Sequence, residues 1–282
     1  MNILTFDIEE WFHLLENEST SSEEQWNAFP SRIHGNIDRL MDILARHGKR
    51  ATFFVIGWIA ERYPEIVRRI ADAGYEIGFH TRRHTLIHQM TPDSLREDLR
   101  HGLGELENIT GRKVEAFRAP GFSLTENCTW AFEVLAESGI RYDSSVFPAR
   151  HAHGGFPSFP HGVPTLIKTP SGDIMEFPIS TGQLFGKHFI YSGGGYFRLL
   201  PYPVIKYLSR NENYLMAYLH PRDMDAGQPV LKGLSAVRHF KSYVGLKACS
   251  TKFEKWLQDT DFTDIGTAIK LIDYNQMATI TV

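Results

Sequence analysis

The stretch Tyr75-Glu-Ile-Gly-Phe-His80-Thr-Arg-Arg-His84 decides how this chain is read. It has the pattern of a short buried strand that ends in two histidines four residues apart. That spacing predicts both imidazoles on one face of a helical turn, close enough to hold one metal ion. Strand ends that carry ligands are where barrels and open α/β sheets place their chemistry. His84 and His88 repeat the spacing, so the pair needs support from the rest of the chain.

Other segments share the design. Thr5-Phe-Asp7-Ile-Glu9-Glu10, Phe117-Arg118-Ala-Pro120-Gly121 and Tyr218-Leu-His220-Pro each read as an apolar strand with polar residues at its C-terminal end, and Asp143 follows Ile140-Arg-Tyr142 in the same way. Helical patterns fall between them. Ser31 is placed to cap a helix with Ile33, Ile37, Leu40, Met41 and Leu44 on one face, ending near Gly48. Pro64 and Thr91-Pro92 open two more, closed by Gly74 and Gly111. This alternation predicts an α/β chain with a parallel sheet, most simply an irregular (β/α) barrel. The Gly-x-Gly-x-x-Gly phosphate fingerprint does not follow the first strand. One catalytic domain over residues 1–282 is expected, with a loop-rich irregular insertion at 148–213 and a C-terminal extension at 221–282 packed on the barrel.

Bulk properties narrow the class. A chain of 282 residues with 42% hydrophobic and 22% charged residues can bury a large core. A net charge of −3 gives no reason to expect nucleic acid as a partner. Cys128 and Cys249 are too few for a cysteine zinc site or a disulfide framework and read as small core residues. No apolar run reaches the ~18–20 residues that span a bilayer. A strand pattern begins at Asn2 without a basic, then apolar, leader, which is the basis for expecting a cytoplasmic protein. The oligomeric state has no signature.

Taken in order, these motifs resemble the polysaccharide deacetylase family, the NodB-homology carbohydrate esterases (family 4-like). Gly193-Gly-Gly-Tyr-Phe-Arg-Leu-Leu-Pro201, Leu219-His-Pro-Arg-Asp-Met-Asp225 and Arg238-His-Phe with Gly245-Leu resemble the subfamily of exopolysaccharide and exosortase loci. The resemblance implies a distorted (β/α)7 barrel and a metal-dependent N-deacetylase acting on an N-acetylated amino-sugar glycan or its lipid-linked precursor. It implies one divalent ion, zinc first and cobalt, nickel or manganese as alternatives, on His80, His84 and a carboxylate. Asp7 is then the base, Arg118 its orienting partner, His220 the acid and Asp143 the residue that orients His220. Gly121, beside Pro120, offers a backbone N–H to the oxyanion. Many relatives have a second aspartate where Ile8 stands, so Glu9 is expected to take the ligand role, with Glu10 as its rival. Trp11, Phe12, His153, Phe185 and Tyr196 are candidates for stacking on sugar faces. The alternatives are another C–N amide hydrolase, such as a cyclic-amide hydrolase or sugar deformylase, and an inactive glycan-binding protein.

Overall fold

The computed structural model describes residues 1–15, 17–150, 154–160, 162–184, 187–210, 213–273 and 277–282. His153 and Phe185 lie outside the described residues. In chain order the strands are β1 (Asn2–Ile8), β2 (Thr52–Val55), β3 (Glu76–Phe79), β4 (Ala116–Phe117), β5 (Tyr142–Asp143), β6 (Thr165–Thr169), β7 (Gly172–Glu176), β8 (Thr181–Leu184), β9 (Lys187–Ile190), β10 (Leu215–Leu219), β11 (Phe262–Thr263) and β12 (Ala278–Thr281). The helices are α1 (Glu23–Trp26), α2 (Ile33–His47), α3 (Gly57–Arg62), α4 (Pro64–Asp72), α5 (Pro92–Thr110), α6 (Trp130–Glu137), α7 (Gly194–Leu199), α8 (Tyr202–Arg210), α9 (Ala236–Tyr243), α10 (Leu246–Asp259) and α11 (Ile265–Ala268).

The path β10-β1-β2-β3-β4-β5-β7 is parallel throughout, the run expected of a (β/α)7 barrel. Its strands are buried on both faces, which explains their unbroken apolar sequence. The sheet is curled. In a flat sheet β1 and β10 would lie roughly 14 and 19 Å from β4. Yet Arg118, at the end of β4, reaches Asp7 of β1 at 2.8 Å and Met216 Sδ of β10 at 3.7 Å.

No ladder among the described residues joins β7 back to β10. Chain segments fill the seam instead. The Tyr214 hydroxyl donates to the Pro178 carbonyl at 2.8 Å, and Met216 N–H donates to Ser180 Oγ at 2.8 Å. Tyr218 N–H donates to the Ser192 carbonyl at 3.0 Å, with a lone bridge to Gly193 beside it. Gly193 is obligatory there, because a Cβ would sit 2.0 Å from the Tyr218 carbonyl oxygen.

Residues 148–213 are not the irregular insertion their Gly- and Pro-rich sequence suggested. They contain β6 to β9, α7 and α8, and β7 is a barrel strand. The signal was weak because β7 is short and starts on two exposed residues. Residues 221–282 supply α9, α10, α11, β11 and β12. β11 pairs with the start of β1, and Phe253 of α10 meets Phe6 edge-on at 5.9 Å.

At the far end of the barrel, Glu76 is pressed against Thr52, Gly266 N–H and Asp264. Burial outweighs the hydrogen bonds and pushes its carboxyl up to about 7. The folded chain therefore holds a proton on Glu76 that the unfolded chain releases near pH 4.5. Stability from this group is complete below that pH and is lost as pH rises towards 7. Glu76→Gln should flatten that decline by on the order of 2 kcal/mol, read as urea midpoints between pH 4.5 and 8.

Candidate active site

Asp7 is the last inward-facing residue of β1, and Glu9 follows it on the same side by strand alternation. Both are buried. Glu9 Oε1 lies 3.2 Å from His80 Nε2 and 3.0 Å from His84 Nε2. Glu10 points the other way. Its carboxylate accepts from Ser31 Oγ and from the N–H groups of Arg32 and Ile33, and so caps α2. Ser31, expected to be that cap, is instead a donor to it, and the N-cap position falls on Arg32. The two neighbouring glutamates thus separate completely: Glu9 joins the histidines and Glu10 serves a helix.

The histidines do not sit on a helical turn. Residues 81–84 form a bend in which Thr81 and His84 have φ of 56° and 55°. Left-handed backbone at threonine and histidine is held here by surrounding contacts. Gly57 and Trp58 N–H groups donate to the carbonyls of Thr81 and Arg82, and Arg82 N–H donates to both Asp98 oxygens at 3.1 Å. His80 Nδ1 lies 2.7 Å from the Arg118 carbonyl, so its N–H belongs there and Nε2 is left with a lone pair towards Glu9. His88 is exposed on a separate turn.

Arg118 is fully buried. It donates to Thr5 Oγ1, Asp7 Oδ1, and the Ser144 carbonyl and hydroxyl at 2.7 to 3.0 Å, and its guanidinium lies 4.3 Å from the Phe54 ring centroid. The second Asp7 oxygen and Glu9 Oε1 each stand 3.8 Å from His220 Nε2. Burial alone would raise the Glu9 carboxyl. The charges of His84 and His220, with the side-chain contacts to His80 and His84, outweigh it and hold it well below its usual range. For His220 burial works against the charged ring, but Glu9, Asp223 and Asp7 reverse that and lift it to about 9.

The partner of His220 is Asp223. One Asp223 oxygen accepts from His220 N–H at 2.8 Å and lies 3.1 Å from Nδ1. Arg198 Nε is 2.9 Å from the other, and Arg198 also donates to the carbonyls of Lys241, Ser242 and Val244. Burial would raise the Asp223 carboxyl, yet Arg198 and His220 depress it. Asp143, expected in this place, lies elsewhere. It sits opposite Glu176 in the β5–β7 register and accepts from Ser145 Oγ. Burial pushes both carboxyls up, and Glu176 accepts from the Val146 N–H at 3.0 Å, which braces the 144–146 turn. A sequence signal for Asp223 existed: an acid three residues after His220, across a proline, is a capping-box spacing.

Asp7, Glu9, His84, His220, Gly121 and Tyr196 line one cleft of about 420 Å³. Gly121 has φ of 60°, and Pro120 is buried behind it. Tyr196 stands on the cleft wall, 40% exposed. Trp11 and Phe12 are not at the cleft: both are buried, and Trp11 donates to the Pro30 carbonyl and packs on Phe12 and Phe29. A turn that sends Glu10 towards α2 carries these rings with it.

Two imidazole nitrogens and one carboxylate, with donor atoms within 4.8 Å of one another, make a donor set suited to one divalent ion. Asp7, Glu9 and His220 form a second such group that shares Glu9.

Residues 17–142 match the family model for polysaccharide deacetylase, and residues 144–270 match a domain of unknown function (DUF3473). A peptidoglycan-N-acetylglucosamine deacetylase of Bacillus cereus is 34% identical over 34% of this chain and 35% of its own length. A chitooligosaccharide deacetylase of Azorhizobium caulinodans is 38% identical over 28% of this chain and 38% of its own. The chain thus spans about a third of the length of these curated relatives. A crystal structure from Mycobacterium smegmatis, provisionally named a polysaccharide deacetylase, superposes with a TM-score of 0.65 at 19% identity, covering 99% of this chain and 92% of that one. The His80–His84 bend and Arg118 fall inside the first matched stretch, while His220, Asp223 and Arg198 fall inside the second. Residues 17–142 are thus similar to the polysaccharide deacetylase family, and the fold of the whole chain is similar to that of the Mycobacterium smegmatis structure.

Proposed function

We propose that this protein is a divalent-metal-dependent N-deacetylase that hydrolyses the acetamide of an amino sugar in a surface polysaccharide or its lipid-linked precursor. One observation carries the reading: Glu9, His80 and His84 converge on one side of a cleft where Asp7 and His220 stand 3.8 Å apart. The match of residues 17–142 to the polysaccharide deacetylase model, and relatives named for removing acetyl groups from glycans, support it.

When held by Glu9, His80 and His84, a divalent ion would polarise an acetamide carbonyl and acidify water; zinc is the first choice for this donor set. The chain's own residues do the rest. Asp7 takes a proton from the attacking water, and Arg118 holds that carboxylate in position. The Gly121 N–H faces the charge that develops on the carbonyl oxygen. His220 gives a proton to the departing amine, and Asp223 fixes its ring through Nδ1 so that Nε2 faces the cleft. Tyr196 offers a ring on the cleft wall for a sugar face.

The test is acetate release from N-acetylated glycan oligomers and lipid-linked amino sugars, with and without added zinc or cobalt. Metal-dependent release is expected. A folded chain with a stoichiometric ion and no release would defeat the proposal, and turnover of formamido sugars or cyclic amides instead would favour another C–N hydrolase. His80→Ala should lose both the ion, by metal analysis, and the activity. If the wild type binds less than one ion and His80→Ala changes nothing, a glycan-binding protein is the better reading.

Three substitutions separate roles. Asp7→Asn should lower kcat by about 10²- to 10⁴-fold while metal content stays stoichiometric. Asp223→Asn should lower kcat by roughly tenfold or more with KM little changed, whereas Asp143→Asn should act on thermal stability first.

A further inference from the structure

We propose that the rim of the cleft built by α9 and the loop before it docks on an anionic lipid surface, so that the cleft opens towards a membrane. Residues 226–253 contain no Asp or Glu, yet carry Lys232, Arg238, Lys241, Lys247 and Lys252, in a chain whose net charge is −3. Lys252 is turned inward onto the carbonyls of Phe197, Arg198 and Leu200. Lys232, Lys241 and Lys247 are exposed.

The same segment exposes apolar side chains that nothing within the described chain covers: Val230 at 58%, Val237 at 65% and Phe240 at 53%. On α9, Val237 and Phe240 are three residues apart, and Arg238 and Lys241 follow one position behind each, Lys241 exposed and Arg238 half-buried with one N–H on the Leu15 carbonyl. Helical geometry therefore lays an apolar stripe beside a basic one. That pairing is the signature of a helix that lies in a membrane interface, with apolar groups among the acyl chains and cations at the head groups.

Leu199 of α7, 48% exposed, extends the apolar surface along the same cleft wall. The branched aliphatic side chains of Val230, Val237 and Leu199 offer nothing to sugar hydroxyls, so these positions, unlike Tyr196, make a poor glycan subsite. A second copy of the chain is a poor occupant as well. A two-fold contact through this face would set Arg238 and Lys241 of one copy near their equivalents on the other. Anionic lipid satisfies both stripes at once. Because α9 and α7 line the cleft that holds Asp7, Glu9 and His220, docking places those residues next to whatever glycan the membrane carries.

Flotation with vesicles tests this without requiring turnover, so its outcome is independent of the deacetylase reading. Phosphatidylcholine vesicles containing about one-third phosphatidylglycerol should carry the protein several-fold better than phosphatidylcholine alone, and raised salt should release it. Lys232→Glu, and separately Val237→Ser with Phe240→Ser, should each cut flotation several-fold while thermal unfolding is unchanged. Equal flotation with neutral and anionic vesicles, or none, would overturn the proposal, as would variants that float like the wild type. A dimer in light scattering that Val237→Ser with Phe240→Ser makes monomeric would assign the face to a second copy instead.

Discussion

Arg118 is a cation with no exposed surface, set inside a barrel of aromatic and aliphatic side chains. A buried guanidinium is costly unless its charge is balanced and its donors are used. Here Asp7 balances the charge, and Thr5, Ser144 and Met216 take the other donors. These partners come from β1, the end of β5 and β10, so satisfying one side chain fixes the relative positions of strands far apart in sequence. The Arg118 carbonyl extends the control outward, since it accepts the His80 Nδ1 proton and leaves Nε2 towards Glu9. The position of Asp7, the His80 tautomer and the curl of the sheet thus depend on one residue. Removing it would leave Asp7 buried beside His220 without its balancing charge, and the strand ends around Asp7 without a shared partner.

The motifs legible in the sequence are those fixed by local pattern. Strand ends with inward polar residues follow from period-two alternation, and α5 follows from Thr91, Pro92, its leucine spacing and Gly111. The Glu9–Glu10 choice was partly legible, because alternation puts Glu9 beside Asp7. What settles the geometry is a tertiary event, the docking of the α2 N-terminus on Glu10, which no local pattern encodes. The His80–His84 spacing was legible, but its conformation was not. Four residues suggest a helical turn, while the backbone takes left-handed φ at Thr81 and His84 because α3 and Asp98 pin the loop.

Asp143 and Asp223 show why an acid's role is harder to read than its presence. Both follow strand ends, and both are buried. Asp143 faces Glu176 because β7 runs beside β5, and β7 was hidden in a segment whose glycines and prolines suggested loops. Asp223 faces His220 because the turn after β10 folds back on itself within three residues. Trp11 fails as a sugar platform for a related reason: the chain reverses just after Glu9, which turns Glu10 onto the α2 N-terminus and Trp11 onto Pro30.

The division of labour along the chain follows from these contacts. The first part supplies Asp7, Glu9, His80, His84 and Arg118, but its strands stop at β5 and cannot close around them. The second part contributes β7 and β10, the seam around Ser180 and Gly193, and His220 with Asp223. Arg198 then couples chemistry to the rim: it pairs with Asp223 while holding the carbonyls at the end of α9. A displacement of α9 would therefore be felt at His220 through only two side chains. The segment of unknown function is not an appendage to a finished site. It completes the barrel, positions His220 opposite Asp7 and Glu9, and ties that residue through Arg198 to the rim of the cleft.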